Sequence, residues 1–320
     1  MNERKKAYIT FCEQTPQLPL FLQPWWLDVV TQPDGKTWDV VLARNKQGAI
    51  EAVFPYLYGC KFGIRYALIP QLTQYTGLWI VPKEGISISQ RLIREKQLQN
   101  EIIRQLKDLH LSYFDVKFPL SYTNWLPFYW AGYTQETHYT YRIEDIRDSK
   151  RVFEQFDYAK QKQIRKAQEA GIVIDYEMTS EALYELQCQQ WAATGHKNLY
   201  SRALICSLVN ASRDRGQGLV ARAKDAAGNT HAAVFAVWDG QSAWELISAI
   251  HPDYRASGAS TLVVWDAMQH VAAHTKAWDF EGSMIEGVEN SFRQFGGVPT
   301  PYFEICKKTK LLSLIELCKR

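Results

Sequence analysis

The sequence predicts a mixed α/β protein carrying two similar domains in tandem. Strand-like and helix-like runs alternate along the whole chain, which is the pattern of strands covered by helices. The length of 320 residues suggests about two domains. A charged, helix-forming stretch over 143–172 breaks the pattern, and a second round of strands and helices follows it. The boundary is placed there, giving domains over 1–150 and 151–320.

The first half reads in order. Pro24 to Val30 suits a short helix with proline in its first turn. Trp38 to Ala43 and Ala49 to Tyr56 are strands joined by an Asn45–Gly48 turn, and Arg65 to Ile69 is a third. The following loop, Gln71 to Gly77, is polar and aromatic and bounded by Pro and Gly; it is either ligand-facing through Gln74 and Tyr75 or an ordinary surface loop. Residues 88–109 form a long helix with Ile102, Ile103, Leu106 and Leu109 on one face. A strand at 112–118, a short helix at 125–130 and a strand at 133–142 complete this half.

In the second half, Ile172 to Glu177 is a strand. Ser180 and Ser201 open helices running to Trp191 and Arg213. Strands are expected at 218–223, 232–238 and 243–250, a helix at 261–274, a strand at 277–280, a helix at 288–295 and a last strand at 302–306. Between strand and helix stands Arg255-Ala-Ser-Gly258-Ala259-Ser260. A Gly- and Ser-containing turn at a helix N-terminus offers unpaired N–H groups and the positive end of the helix dipole, which favour an anion such as phosphate.

Composition narrows the function classes. The 37 basic and 34 acidic residues leave a net charge of +3, too small to demand a nucleic-acid partner by itself. No apolar run is long enough for a membrane span, and no secretory signal opens the chain, so a cytoplasmic location is expected. The six cysteines stand singly, without a Cys-x-x-Cys pair, and read as free, mostly buried thiols. His270 and His274 lie four apart on a helix but lack an acidic third ligand, so no metal is expected.

Three strings in order, Tyr254-Arg255-x-x-Gly258-Ala259, Asp279-Phe280-Glu281-Gly282-Ser283 and Phe292-x-x-Phe295-Gly296-Gly297, resemble the FemAB-like and CelD-like acyltransferases of the Gcn5-related N-acetyltransferase (GNAT) superfamily. Arg255-x-x-Gly258-x-Ser260 is similar to that superfamily's pyrophosphate loop, with Ser260 in place of the usual Gly or Ala. The resemblance implies tandem GNAT-like domains. The first would be degenerate and serve the acceptor; the second would carry the donor loop and most of the site, with central strands that part to admit the reactants. It implies Arg255, Gly258, Ala259 and Ser260 as donor contacts. It also implies a tyrosine acid in the last helix, which this chain lacks; Tyr302 on the next strand is the substitute.

Transfer to an amine needs a proton acceptor, a stabilised carbonyl oxygen and positioning. Glu245, a carboxylate in the apolar run Trp-Glu-Leu-Ile, becomes a better base if buried, or simply faces outward. Asp279 and Glu281 alternate about Phe280; Glu281 is a base or amine ligand, or one of the pair caps the turn. Tyr254 contacts substrate or plugs the core. Ser283 and Arg293 are further substrate candidates, whereas His251 reads as a turn residue.

The activity expected is N-acyl transfer from an acyl-coenzyme A thioester to an amine. One alternative, following FemAB proteins, is an aminoacyl-tRNA donor and a cell-wall peptide acceptor, with the basic helix at 160–166 and Lys307-Lys308 meeting phosphate. Another is a non-catalytic small-molecule binding protein on the same fold.

Overall fold

The computed structural model describes residues 2–282 and 284–309. Two compact units result: Tyr139–Thr300 forms one, and the described residues on either side of it form the other.

The first unit begins with helices α1 (Glu3–Glu13) and α2 (Pro24–Thr31). Strands β1 (Thr37–Arg44), β2 (Ile50–Lys61) and β3 (Ile64–Leu68) follow, with the short β4 (Trp79–Ile80) on β2. Helix α3 (Ile88–Asp108) starts at a capping box in which Ser87 and Gln90 exchange side-chain and backbone hydrogen bonds. Then come β5 (Tyr113–Lys117), α4 (Leu126–Trp130) and β6 (Thr134–Ile143). Phe54, Phe114, Phe118 and Phe128 fill a core between this unit's sheet and α3, while Tyr8, Leu22, Leu27 and Trp38 pack a smaller one. Helix α1 was not anticipated; its charged sequence shows almost no apolar face, and only Tyr8 and Cys12 are buried.

The second unit opens with α5 (Ser149–Glu154) and α6 (Tyr158–Glu169). It continues as β7 (Val173–Asp175), α7 (Ser180–Ala192), α8 (Arg202–Asp214), β8 (Gly218–Lys224), β9 (Thr230–Trp238) and β10 (Ser242–Ile250). Helix α9 (Ala259–Val271), β11 (Ala277–Asp279), α10 (Glu286–Gln294) and β12 (Val298–Lys308) close the order. This is the expected succession. The cap of α7 is Thr179 rather than Ser180, its hydroxyl accepting from the Ala182 amide; Ser201 caps α8 as expected. Val263, Ala267 and Val271 of α9 press on the β8–β9 face.

Within this unit the strands lie in the order β6-β11-β10-β9-β8-β7. All neighbours are antiparallel except β10 and β11, which run parallel and pair only at Ser242–Trp244 with Ala277–Asp279. Strand β10 runs on to Ile250 after β11 has ended.

The unit boundaries fall within β6 and β12, not at 150/151. Residues Glu304–Lys308 pair antiparallel with Tyr113–Lys117, so the end of β12 completes the first unit's sheet. That return is a long-range pairing with no local signal. No described helix is long and apolar enough to cross a membrane. Cys12 is buried, Cys60 exposed, and Cys188, Cys206 and Cys306 half-buried, all as free thiols, so burial of this residue type is less general than expected.

Candidate active site

The parting of β10 from β11 begins at Glu245. There β10 carries a bulge: Glu245 pairs with Ala236 and Ile247 with Phe235, leaving Leu246 as the extra residue. A bulge re-aims side chains that strict alternation would send to opposite faces. Glu245, Leu246, Ser248 and Ile250 consequently all line one cavity of about 450 Å³. Ser260, Thr261 and Val264 at the start of α9, Lys160 of α6, Glu281 and Gly282 beyond β11, and Ser291, Phe292 and Phe295 around α10 supply other walls.

Glu245 is 8% exposed. Its Oε1 accepts a hydrogen bond from the Ser248 hydroxyl at 2.7 Å, and its Oε2 is buried without a partner. Burial pushes the carboxyl up to about 7, against the opposing pull of the Ser248 hydroxyl, the Lys160 charge and the Trp278 indole N–H.

Lys160 is 7% exposed, and its Nζ donates to Ser291 Oγ at 2.8 Å and sits 4.3 Å above the Phe295 ring. Burial pushes the ammonium down to about 8, with the Glu245 charge opposing. The sequence reading assigned Lys160 to a basic helix face meeting phosphate; the structure turns it inward. The helical period was the available signal: Lys160, Ile164 and Ala167 are the buried stripe of α6, and Lys160 occupies the first position of it.

The pair Asp279 and Glu281 does not share a strand face. Strand β11 ends at Asp279, and Glu281 adopts the left-handed conformation at φ 60°, so alternation stops between them. Glu281 lines the cavity. Asp279 is fully buried and already engaged: Arg142 Nη1 donates to Oδ2 at 2.8 Å, while Thr140 Oγ1 and the Glu281 amide donate to Oδ1 at 2.5 and 2.8 Å. The expectation that Asp279 binds substrate is corrected: it holds the β6–β11 junction and caps the turn that presents Glu281. Behind Glu281, the Tyr200 hydroxyl is pushed up to about 12, by burial first and then by the Glu281 charge. Tyr200 was not singled out from sequence, because it lies in an irregular stretch between α7 and α8.

The glycine loop is built differently from an open phosphate cradle. Gly258 at φ 82° is the N-cap of α9. A Cβ there would stand 2.3 Å from the Gln163 carbonyl oxygen of α6, so the space requiring glycine is filled by protein backbone. Lys166 Nζ donates to the Ala256 carbonyl at 2.7 Å, Thr261 Oγ1 donates to Gln163 Oε1 at 2.6 Å, and the Ala259 amide donates to Ser257 Oγ at 3.2 Å. Ala259 belongs to the core. Of the four proposed donor contacts, Ser260 faces the cavity, and Arg255 is exposed on the loop.

Other candidates lie elsewhere. Tyr254 stacks flat on His231 at 3.9 Å, with His251 on a tilted contact at 5.0 Å, and borders a separate hollow beside α7. His251 Nδ1 accepts from the Asp253 amide, the turn role expected for it. Arg293 is exposed on α10, donating to Asn290 Oδ1 at 2.6 Å and pairing with Glu289 at 3.3 Å; both partners are on its own helix, and it does not line the cavity. Gln74 and Tyr75 are buried in the first unit, Tyr75 edge-on to Phe21, so neither presents an open loop surface. Tyr302 is also buried there, stacked on His138. Ser283 lies outside the described residues. His274 stacks on Trp238, and His270 meets the Tyr176 ring in a tilted contact at 4.3 Å, so both rings pack against aromatic neighbours. Glu136, His138 and Glu304 of the first unit bring potential ligand atoms within 4.8 Å of one another. Burial and the neighbouring Lys117 charge hold the His138 ring below its ordinary value.

Residues 156–280 match the family model described as the acetyltransferase (GNAT) domain, over the β10–α9–β11 region that builds the cavity. The second unit is a GNAT domain. Solved structures extend the likeness of fold to the whole chain. FemX is similar at 12% identity and a TM-score of 0.72, covering 99% of each chain. L-PGS from Bacillus licheniformis follows at 9% identity and 0.58, covering 98% of this chain and 96% of that one. A tandem GNAT protein from the clavulanic acid biosynthesis pathway matches at 11% and 0.52, covering 94% and 92%. No curated protein sequence matches the chain. The tandem GNAT architecture is therefore the fold of this protein, and Glu245, Glu281, Ser260 and Lys160 are among the polar side chains that the second unit gathers around the cavity.

Proposed function

We propose that the GNAT domain transfers an acyl group from an activated donor to an amine nitrogen, with Glu245 as the proton acceptor. The observation that carries this reading is Glu245 Oε2: buried, unpartnered, and at the wall of the cavity where β10 leaves β11. A carboxyl whose ordinary value is 4.5 and which titrates near 7 holds a proton well enough to accept one from an attacking amine, yet is ionised above neutrality. As the amine attacks, the C–N bond forms, its proton passes to Glu245, and the bond from the acyl carbon to the leaving group breaks. Glu281, on the same cavity, is suited to accept a hydrogen bond from the neutral amine and orient it for attack.

An acyl-coenzyme A thioester is the donor implied by the superfamily. A second reading, an aminoacyl-tRNA ester, is supported by the packed loop: the Gln163 carbonyl of α6 stands where a side chain at Gly258 would project, and Lys166 holds the Ala256 carbonyl. The end-to-end similarity to FemX and L-PGS agrees with this second donor. Under it the acceptor is a cell-wall peptide precursor, and envelope biogenesis in the cytoplasm is the setting.

Two measurements test the proposal. Thermal melting with acetyl-coenzyme A, against tRNA binding titrated at several salt concentrations, separates the donors: a ligand of the native state raises the melting temperature, and phosphate contacts give a steep inverse salt dependence. Glu245→Gln is expected to lower turnover about a hundredfold to ten-thousandfold. Full activity in that variant, or no response to either donor class, removes the proposal.

A further inference from the structure

Resting on the acyl-transfer reading, we propose that Lys160 is the acid that delivers a proton to the leaving group, opposite Glu245 in the same cavity. The two charged groups line one cavity and sense each other electrostatically, but they form no ion pair within 4.0 Å among the described residues. A directly paired ammonium and carboxylate would neutralise one another. Not directly paired, both groups remain available to a reactant in the cavity they line.

The ammonium is fixed by three elements of the chain. Helix α6 carries the stem, Ser291 Oγ takes one N–H, and the Phe295 ring lies beneath the head. An ammonium has three N–H groups, so donor capacity remains for a ligand. A lysine buried to this depth is costly unless it is hydrogen-bonded and paired, and Lys160 has one hydrogen bond and no direct carboxylate partner within 4.0 Å among the described residues. Burial also brings its titration near 8, where an ammonium yields a proton readily at neutral pH.

The step balances. The amine lone pair forms the C–N bond and its proton goes to Glu245 Oε2; the C–O bond of an ester donor breaks, and the departing oxygen takes a proton from Lys160 Nζ. Glu245 then releases its proton to water and Lys160 regains one, restoring both. An alkoxide leaves poorly without a proton, whereas a thiolate, whose thiol titrates at about 8.5, leaves without help. The requirement for Lys160 is therefore greater with an oxygen ester than with a thioester.

The experiment uses the full-length chain with hydroxylamine as acceptor, and a mixed aminoacyl-tRNA pool or acetyl-coenzyme A as donor. Lys160→Met and Lys160→Arg are compared with wild type in kcat, KM and pH profile, with melting curves confirming that each is folded. The ordering of donors is expected to be clear: on aminoacyl-tRNA, Lys160→Met lowers kcat about a hundredfold or more, with KM within about threefold, and erases the alkaline limb near pH 8. Lys160→Arg keeps the charge but cannot release a proton, and is expected to be as impaired. Recovery by arginine, a loss confined to KM, or an alkaline limb that persists in Lys160→Met overturns the acid role. NMR of lysines labelled at Cε gives a readout without turnover. Lys160 is expected to titrate near 8 and to fall further in Glu245→Gln; titration above 10 with the surface lysines overturns the proposal. The two readings fail separately: a Glu245→Gln variant with full activity discards Glu245 as base whatever Lys160 does, and a wild-type protein inert with both donors discards acyl transfer and the acid role with it.

Discussion

Glu245 and Asp279 are two buried carboxylates on neighbouring parallel strands, one residue out of register: Asp279 lies opposite Trp244. Each interrupts an apolar strand, and from sequence each reads as a candidate for chemistry. They have opposite surroundings. Asp279 meets a guanidinium, a hydroxyl and an amide, so its charge is compensated although burial alone pushes its carboxyl up. Glu245 has one hydroxyl on one oxygen, and on the other no hydrogen bond within 3.5 Å, only the weak pull of the Trp278 indole N–H. Depth of burial thus does not separate the two carboxylates; their partners do.

The largest effect that tests this comparison is on Asp279. Asp279→Ala removes the buried one of Arg142's two carboxylate partners and leaves the exposed Glu144 at 3.1 Å, and a loss of about 3 kcal/mol in unfolding free energy is expected by denaturant titration. A loss below about 1 kcal/mol would make the two carboxylates equivalent.

Glu245→Gln is expected to do the reverse, depending on pH. The folded carboxyl titrates near 7 against an ordinary value of 4.5, so the folded state binds the proton more tightly. That stabilisation is complete below about 4.5 and is lost as pH rises through 7. Glutamine has no such dependence. Relative to wild type it should gain on the order of 3 kcal/mol between pH 4 and pH 8. Unfolding free energies of both proteins at the two pH values decide it; a constant difference sinks the assignment of an uncompensated charge.

The loop sharpens the comparison on the backbone. Gly258→Ala places a Cβ against the Gln163 carbonyl at a positive φ, and a destabilisation of about 1–3 kcal/mol is expected in a thermal melt. Were the cradle open for phosphate instead, only the cost of the left-handed backbone, about 1 kcal/mol, would remain, and donor affinity would suffer. The smallest effect belongs to Arg293. Its partners are exposed or half-buried on the same helix, and Arg293→Ala should move stability by no more than about 0.5 kcal/mol and leave turnover intact.

Much of the architecture was legible because its causes are local. The Asn45–Gly48 turn, the serine cap before α8, the proline opening α2 and the glycine before α9 each act within a few residues. The alternation of strands and helices through the second unit followed from apolar periodicity. Helix α1 escaped because it lacks that periodicity, and the split of β12 between the units escaped because its pairing with β5 is remote in sequence. Glu245 and Glu281 were found at the cavity. Arg293, Asp279 and Tyr254 were drawn to it by residue type alone and are held elsewhere by their partners.

By itself, then, the sequence determined which segments become strands and helices and in what order, since propensity, capping and hydrophobic period are properties of neighbouring residues. Only the tertiary structure decided which polar groups share a cavity. The bulge at Leu246 turns Glu245 and Ser248 to the same side, α6 swings Lys160 in from a separate segment, and Arg142 claims Asp279 from β6. Burial and charge compensation depend on atoms far apart in the chain, and they set which carboxylate is left with an oxygen to use.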